Sequence, residues 1–160
     1  MTSPPVLLTG ATGFLGMEVL ARLLERGDRD VVCLIRGDAA RRLDDVLATL
    51  WDDPAPYRAR VRAVAGDVTL PGLGMPTAER TSLAEDVGAI VHCAASISFD
   101  LPLEEARAIN VEGTREVVGF AREARALGRF ERLVHVSTAY VSGRHPGVFR
   151  ERQLDVAGAT

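Results

Sequence analysis

The chain has 160 residues, of which 47% are hydrophobic, 26% charged and 5% aromatic, with a formal net charge of -3. A chain of this length buries roughly two-thirds of its unfolded surface, so its core needs neither a disulfide framework nor a structural metal, and its acidic balance gives no general attraction to nucleic acid or anionic lipid. No apolar run approaches the ~20 residues of a membrane span, residues 1–5 carry no secretory signal, and the expected location is cytoplasmic.

Val6-Leu7-Leu8 is a short apolar run ending in Thr9-Gly10 and reads as a buried strand. Leu15, Val19, Leu20, Leu23 and Leu24 then recur at helical spacing, with Gly27 as a stop. Val31 to Ile35 is again continuously apolar, as a strand covered on both faces should be. Asp38 can cap a helix carrying Leu43, Val46, Leu47 and Leu50, and Trp51 to Arg60, with two prolines, reads as a loop. Val61 to Ala65 is a third strand. Residues 68–78 form a connector, a short helical turn around Glu79 to Glu85 follows, and Ala89 to Cys93 is a fourth strand. Leu103 through Leu127 is the longest helical stretch, stopped by Gly128, and Leu133 to Val136 is the fifth strand. This alternation predicts an α/β fold, a parallel sheet with right-handed crossovers.

The sharpest signal is Thr9-Gly10-Ala11-Thr12-Gly13-Phe14-Leu15-Gly16, placed between the first strand and the first helix. Glycines there permit a tight turn, let backbone approach a pyrophosphate and allow close helix packing, while the free amides and dipole at the helix start attract the anion. A glycine turn that merely tightens packing is the competing reading. At the end of the second strand stands Arg36, twenty positions after Gly16, where NAD-binding sheets carry an acidic residue for the ribose 2′-hydroxyl. A guanidinium pairs with a 2′-phosphate, which favours NADP(H) over NAD(H), although Asp38 lies close enough to contest this. Arg41 and Arg42 can add charge there, but a solvated helix face is the preferred reading for that pair. All 19 basic residues are arginine. GC-rich codon usage accounts for that, yet the chain offers no lysine for chemistry.

The chain resembles the extended short-chain dehydrogenase/reductase superfamily, and within it the thioester reductase and fatty acyl-CoA reductase branch, which implies a Rossmann-type NAD(P)-binding fold, a doubly wound parallel sheet with strand order 3-2-1-4-5. The resemblance rests on the glycine motif at 10–16, Leu34-Ile35-Arg36, Gly66-Asp67-Val68, His92-Cys93-Ala94-Ala95, Asn110-Val111-Glu112-Gly113-Thr114 and the run from Val136 to Gly143, in the family's order. It implies that Thr9, Gly10, Thr12, Gly13, Phe14, Leu15 and Gly16 form the pyrophosphate turn, that Asp67 accepts from the adenine amino group and that Val68 lines the ring. Ala94 and Ala95 would flank the nicotinamide ribose. Thr138 would orient the substrate carbonyl, with Ser137 beside the cofactor, and Asn110 matches the family's helix asparagine. The implied partners are a dinucleotide, an acyl thioester and other domains of a larger polypeptide.

The family's Tyr-x-x-x-Lys pair has no counterpart, because there is no lysine; Tyr140-x-x-x-Arg144 imitates the spacing with Gly143 inside it. Phe149-x-Glu151-x-x-Leu154 is similar to the stretch that precedes the catalytic helix of the acyl reductases. Residues 1–160 therefore read as one incomplete NAD(P)-binding domain, the front half of a longer reductase. A sugar-nucleotide epimerase or dehydratase, which shares this front half, and a non-catalytic dinucleotide-binding module stand as alternatives. Cys33 and Cys93 are expected about 9–10 Å apart, two strand spacings, too far for a disulfide. His92, Cys93 and His135 match no zinc pattern and are expected as packed core. Arg58, Arg60 and Arg62 read as a solvated face. Phe99 to Pro102 either closes over the cofactor or is a plain surface loop, and an apolar sheet edge is expected beside the fifth strand.

Overall fold

Short runs, apolar in the central strands, build the sheet of this chain, and the computed structural model describes residues 3–138 and 146–150. The strands are β1 (Val6–Thr9), β2 (Val31–Ile35), β3 (Val61–Ala65), β4 (Ala89–His92) and β5 (Arg132–His135), all parallel, in the order β3-β2-β1-β4-β5. Every residue of β1 and β2 is buried, because helices cover both faces of a parallel sheet. Alternate residues serve different cores. Leu7, Val32, Leu34 and Ile90 pack with Val117 and Phe120 on one face, whereas Leu8, Cys33 and Ile35 pack with Leu20, Leu24, Leu43 and Leu47 on the other.

The helices are α1 (Phe14–Arg26), α2 (Ala39–Leu50), the single turn α3 (Ala55–Arg58), α4 (Thr77–Asp86), α5 (Leu103–Arg107) and α6 (Gly113–Leu127). Leu15 departs from the predicted apolar face of α1 and is 46% exposed. Within 51–60 the expected loop contains α3, whose start tolerates Pro54 and Pro56 because the missing amides belong to the unpaired first turn. Trp51 stacks on Tyr57 at 4.2 Å there. The short helical turn expected around Glu79 to Glu85 is the ten-residue α4.

The stretch from Leu103 to Leu127 is interrupted by a π turn, Ala108–Glu112. Such an insertion shifts the helical phase by one residue and occurs often at functional sites. Arg60 leaves the predicted solvated face: its guanidinium donates to the carbonyls of Leu24, Gly27 and Arg29 at 2.9, 2.7 and 3.0 Å, closing the carboxyl end of α1. β5 is an edge strand among the described residues, and Arg132, Val134 and His135 are exposed, so that edge is mixed rather than apolar. No helix among the described residues is long and apolar enough to cross a membrane.

Candidate functional site

In the order 3-2-1-4-5 the chain leaves β1 toward one side of the sheet and β4 toward the other, which opens a crevice at their carboxyl ends. There the structure has a groove of about 350 Å³. The turn after β1 contributes Thr9, Gly10, Thr12 and Gly13, and the ends of β2 and β3 contribute Arg36, Asp67 and Val68. Ala94 and Ala95 come from the loop after β4. Nine residues singled out in the sequence thus converge on one groove.

The three motif glycines answer to different demands. Gly10 has φ +76°, and a Cβ there would lie 2.6 Å from the Ala94 amide nitrogen. A Cβ on Gly16 would run into the carbonyl of Gly10. Both are therefore required by the fold itself. Gly13 has extended backbone, and its Cβ would meet only the Gly10 carbonyl, at 3.4 Å. Among the described residues nothing demands glycine at 13, whereas a pyrophosphate lying against it would. The start of α1 has neither a side-chain cap nor an acidic residue in its first turn, so its leading amides and dipole are left for an anion. These residues fit a dinucleotide.

The other walls are locked by local hydrogen bonds. The Asp67 amide donates to the Leu73 carbonyl at 2.8 Å, and Asp67 Oδ1 accepts from the amide and hydroxyl of Thr69 at 2.9 and 2.8 Å. This leaves Oδ2 on the side of Arg36, 4.0 Å from its Nη1. Val68 is buried against Gly113. Arg42 departs from the solvated face expected for it. Its Nη1 donates to the Arg36 carbonyl at 2.9 Å and its Nη2 to Thr12 Oγ1 at 3.3 Å, so it spans the turns after β1 and β2 and lines the groove. Asp38 Oδ1 accepts from the Arg41 amide at 3.2 Å as the cap of α2, and Asp38 does not line the groove.

Phe14, Leu15 and Gly16 do not line the groove; Phe14 is 91% exposed. Asn110 sits on the π turn, where Oδ1 accepts from the Ser96 amide at 2.8 Å and Nδ2 donates to the Ser96 carbonyl at 3.0 Å. It clamps the loop after β4. Ser137 and Thr138 follow β5, are exposed, and stand outside the groove lining. Ile97 and Phe99 are almost fully exposed and are not part of it either. Tyr140 to Arg144 and residues 151–154 lie outside the described residues. Sequence reasoning missed Thr69, Ser96 and Ile109 as lining residues; Ile109 had no signal, because only the π turn brings it there.

His92 is buried and stacks on His135, ring centres 5.2 Å apart, but His135 is exposed rather than core. Burial, then the neighbouring His135, pulls the His92 pKa down to about 4. Burial pushes the Cys33 thiol up to about 12 and raises that of Cys93. Both cysteines are free and held as thiols, which suits packing rather than nucleophilic attack. Among the described residues no group of three or more histidine, cysteine, aspartate or glutamate side chains is arranged to hold a metal ion.

The family described as male sterility protein, a family of NAD-binding domains, matches residues 8–157. The chain belongs to this family. It is thereby a member of the extended short-chain dehydrogenase/reductase superfamily, on the fatty acyl-CoA reductase branch. It is 39% identical over 151 residues to the fatty acyl-CoA reductase wat of Drosophila melanogaster, covering 84% of this chain and 28% of that protein. The terminal R domain of the myxalamid PKS-NRPS pathway superposes with a TM-score of 0.73 at 36% identity, over 86% of this chain and 36% of that one. UDP-glucuronic acid 4-epimerase of Bacillus cereus superposes with a TM-score of 0.67 over 95% of this chain and 46% of its own, at 19% identity, a likeness of fold alone. The chain thus spans under a third of the length of the Drosophila reductase.

Proposed function

We propose that this chain is the NADPH-binding part of a cytoplasmic reductase that takes an acyl thioester, fatty acyl-CoA or carrier-bound, to an aldehyde or alcohol. The observation that carries this reading is the Arg36 and Arg42 pair, hydrogen-bonded to each other and lining the groove, with the Asp38 carboxylate engaged in capping α2 instead. Two guanidiniums suit a 2′-phosphate, which an acidic residue in that place would repel. Support for the acyl thioester comes from the 39% and 36% identities to a fatty acyl-CoA reductase and an R domain. The R domain also supports other domains of a larger polypeptide as partners.

In this reading Gly10, Gly13 and the leading amides of α1 hold the pyrophosphate. Arg36 and Arg42 hold the 2′-phosphate, Asp67 Oδ2 accepts from the adenine amino group, and Val68 lines the ring. Ala94 and Ala95, steadied by Asn110 through Ser96, flank the nicotinamide ribose, with Ser137 beside it. Thr138 donates to the substrate carbonyl oxygen and orients it. The bound cofactor supplies a hydride. No lysine among the 160 residues can pair with a tyrosine to deliver the proton, so these residues bind and orient.

Calorimetric titration with NADPH and NADH tests the reading. NADPH should bind at least about tenfold tighter, and Arg36→Ala or Arg42→Ala should each remove roughly ten- to hundredfold of NADPH affinity while sparing NADH, as loss of a charged hydrogen bond predicts. Equal affinity for the two would refute it. The missing lysine favours one other reading, a dinucleotide-binding module without turnover of its own. Aldehyde formed from an acyl-CoA and NADPH by this chain would overturn that alternative.

A further inference from the structure

Thr9, His92 and Thr114 lie on β1, at the end of β4 and at the start of α6, yet their side chains form one hydrogen-bonded chain. Thr9 Oγ1 is 2.7 Å from His92 Nδ1, and His92 Nε2 is 3.3 Å from Thr114 Oγ1. Two further bonds set the direction. The Ala94 amide donates to Thr9 Oγ1 at 3.2 Å, and the Thr114 hydroxyl donates to the Asn110 carbonyl at 2.7 Å. Thr114 has spent its one proton, so its oxygen accepts from His92 Nε2–H. Nδ1 is then the bare nitrogen, and it accepts the Thr9 proton. A single neutral tautomer satisfies every member of the chain; the opposite tautomer leaves Thr114 Oγ1 facing a bare nitrogen with no proton between them.

The chain joins the parts that build the groove. Thr9 leads directly into Gly10, Ala94 carries the wall after β4, and the Asn110 side chain holds the Ser96 amide and carbonyl. We propose that His92 is a positioning residue whose Nε2–H imidazole ties the turn after β1, the loop after β4 and the π turn together, so that the groove is held open in its binding geometry before a dinucleotide arrives. This rests on the reading of the groove as a dinucleotide site. A pre-set groove binds more tightly because less ordering is left to the moment of binding.

The experiment has two arms. The first is a long-range proton–nitrogen correlation spectrum of the ligand-free chain at neutral pH. His92 should show a protonated Nε2 and a bare Nδ1, and a protonated Nδ1 would overturn the proposal. The second is equilibrium binding of NADPH to Thr9→Val, which keeps the shape of the side chain but lacks its hydroxyl, and to Thr9→Ser, which keeps the hydroxyl. Thr9→Val should lose the single tautomer and bind about tenfold more weakly, the scale of one hydrogen bond, while Thr9→Ser should restore both. Binding by Thr9→Val as tight as that of the wild type would overturn it. Should the wild-type chain bind neither NADPH nor NADH, the dinucleotide reading falls, and the pre-setting of a groove for that ligand falls with it. The tautomer spectrum would still judge the hydrogen-bonded chain separately.

Discussion

Acid should loosen this fold through one imidazole. His92 is 1% exposed, and burial with the nearby His135 lowers its pKa from the ordinary 6.5 to about 4. The unfolded chain therefore takes up its proton near 6.5, while the folded chain resists until about 4. The stabilisation is complete above 6.5, is lost as the pH falls through this window, and changes no further below it. At about 1.4 kcal/mol per pH unit the whole gap is worth ~3 kcal/mol, of which ~2 kcal/mol is lost between about pH 7 and about pH 5. Urea unfolding followed by circular dichroism at these two pH values measures it. His92→Asn provides the reference, since its amide can accept from Thr9 but does not titrate. The wild type should lose about 2 kcal/mol more than the variant over that interval. Parallel losses would refute the reasoning, because they would mean that the imidazole charges as readily folded as unfolded.

Other perturbations separate fold from ligand. Gly13→Ala should unfold in urea like the wild type yet lose most dinucleotide affinity, whereas Gly16→Ala, whose methyl meets the Gly10 carbonyl, should fail to give a cooperative transition. Arg60→Ala leaves three carbonyls at the end of α1 without their donor, and chemical denaturation should show a loss of ~2 kcal/mol with cofactor affinity little changed once folded. Asn110→Leu removes both bonds to Ser96; the Ser96 amide should then exchange with solvent faster, and NADPH should bind more weakly.

The legible part of the site is the part written in contiguous residues. Glycine at 10, 13 and 16 between a strand and a helix announces an anion-binding turn, because φ, steric room and helix dipole are local properties. Arg42 was legible as a residue but not as a role. Nothing in its neighbours tells whether its guanidinium faces solvent or reaches Thr12, 30 positions away. Gly13 looked equivalent to its two companions, and only the packed backbone shows that it alone has no structural reason to be glycine.

Composition and periodicity were enough for the parallel sheet and its helices, since burial on two faces leaves continuous apolar strands and amphipathic helices as its trace, while the strand order came with the resemblance and the division into two cores with the folded molecule. The π turn, the Arg60 closure and the His92 chain needed the folded molecule. The bonds of Arg60 to Leu24, of His92 to Thr9 and Thr114, and of Ala94 to Thr9 join residues 22 to 85 positions apart. A hydrogen bond between such groups follows from where the sheet and helices bring them, and no local pattern in the chain encodes that distance.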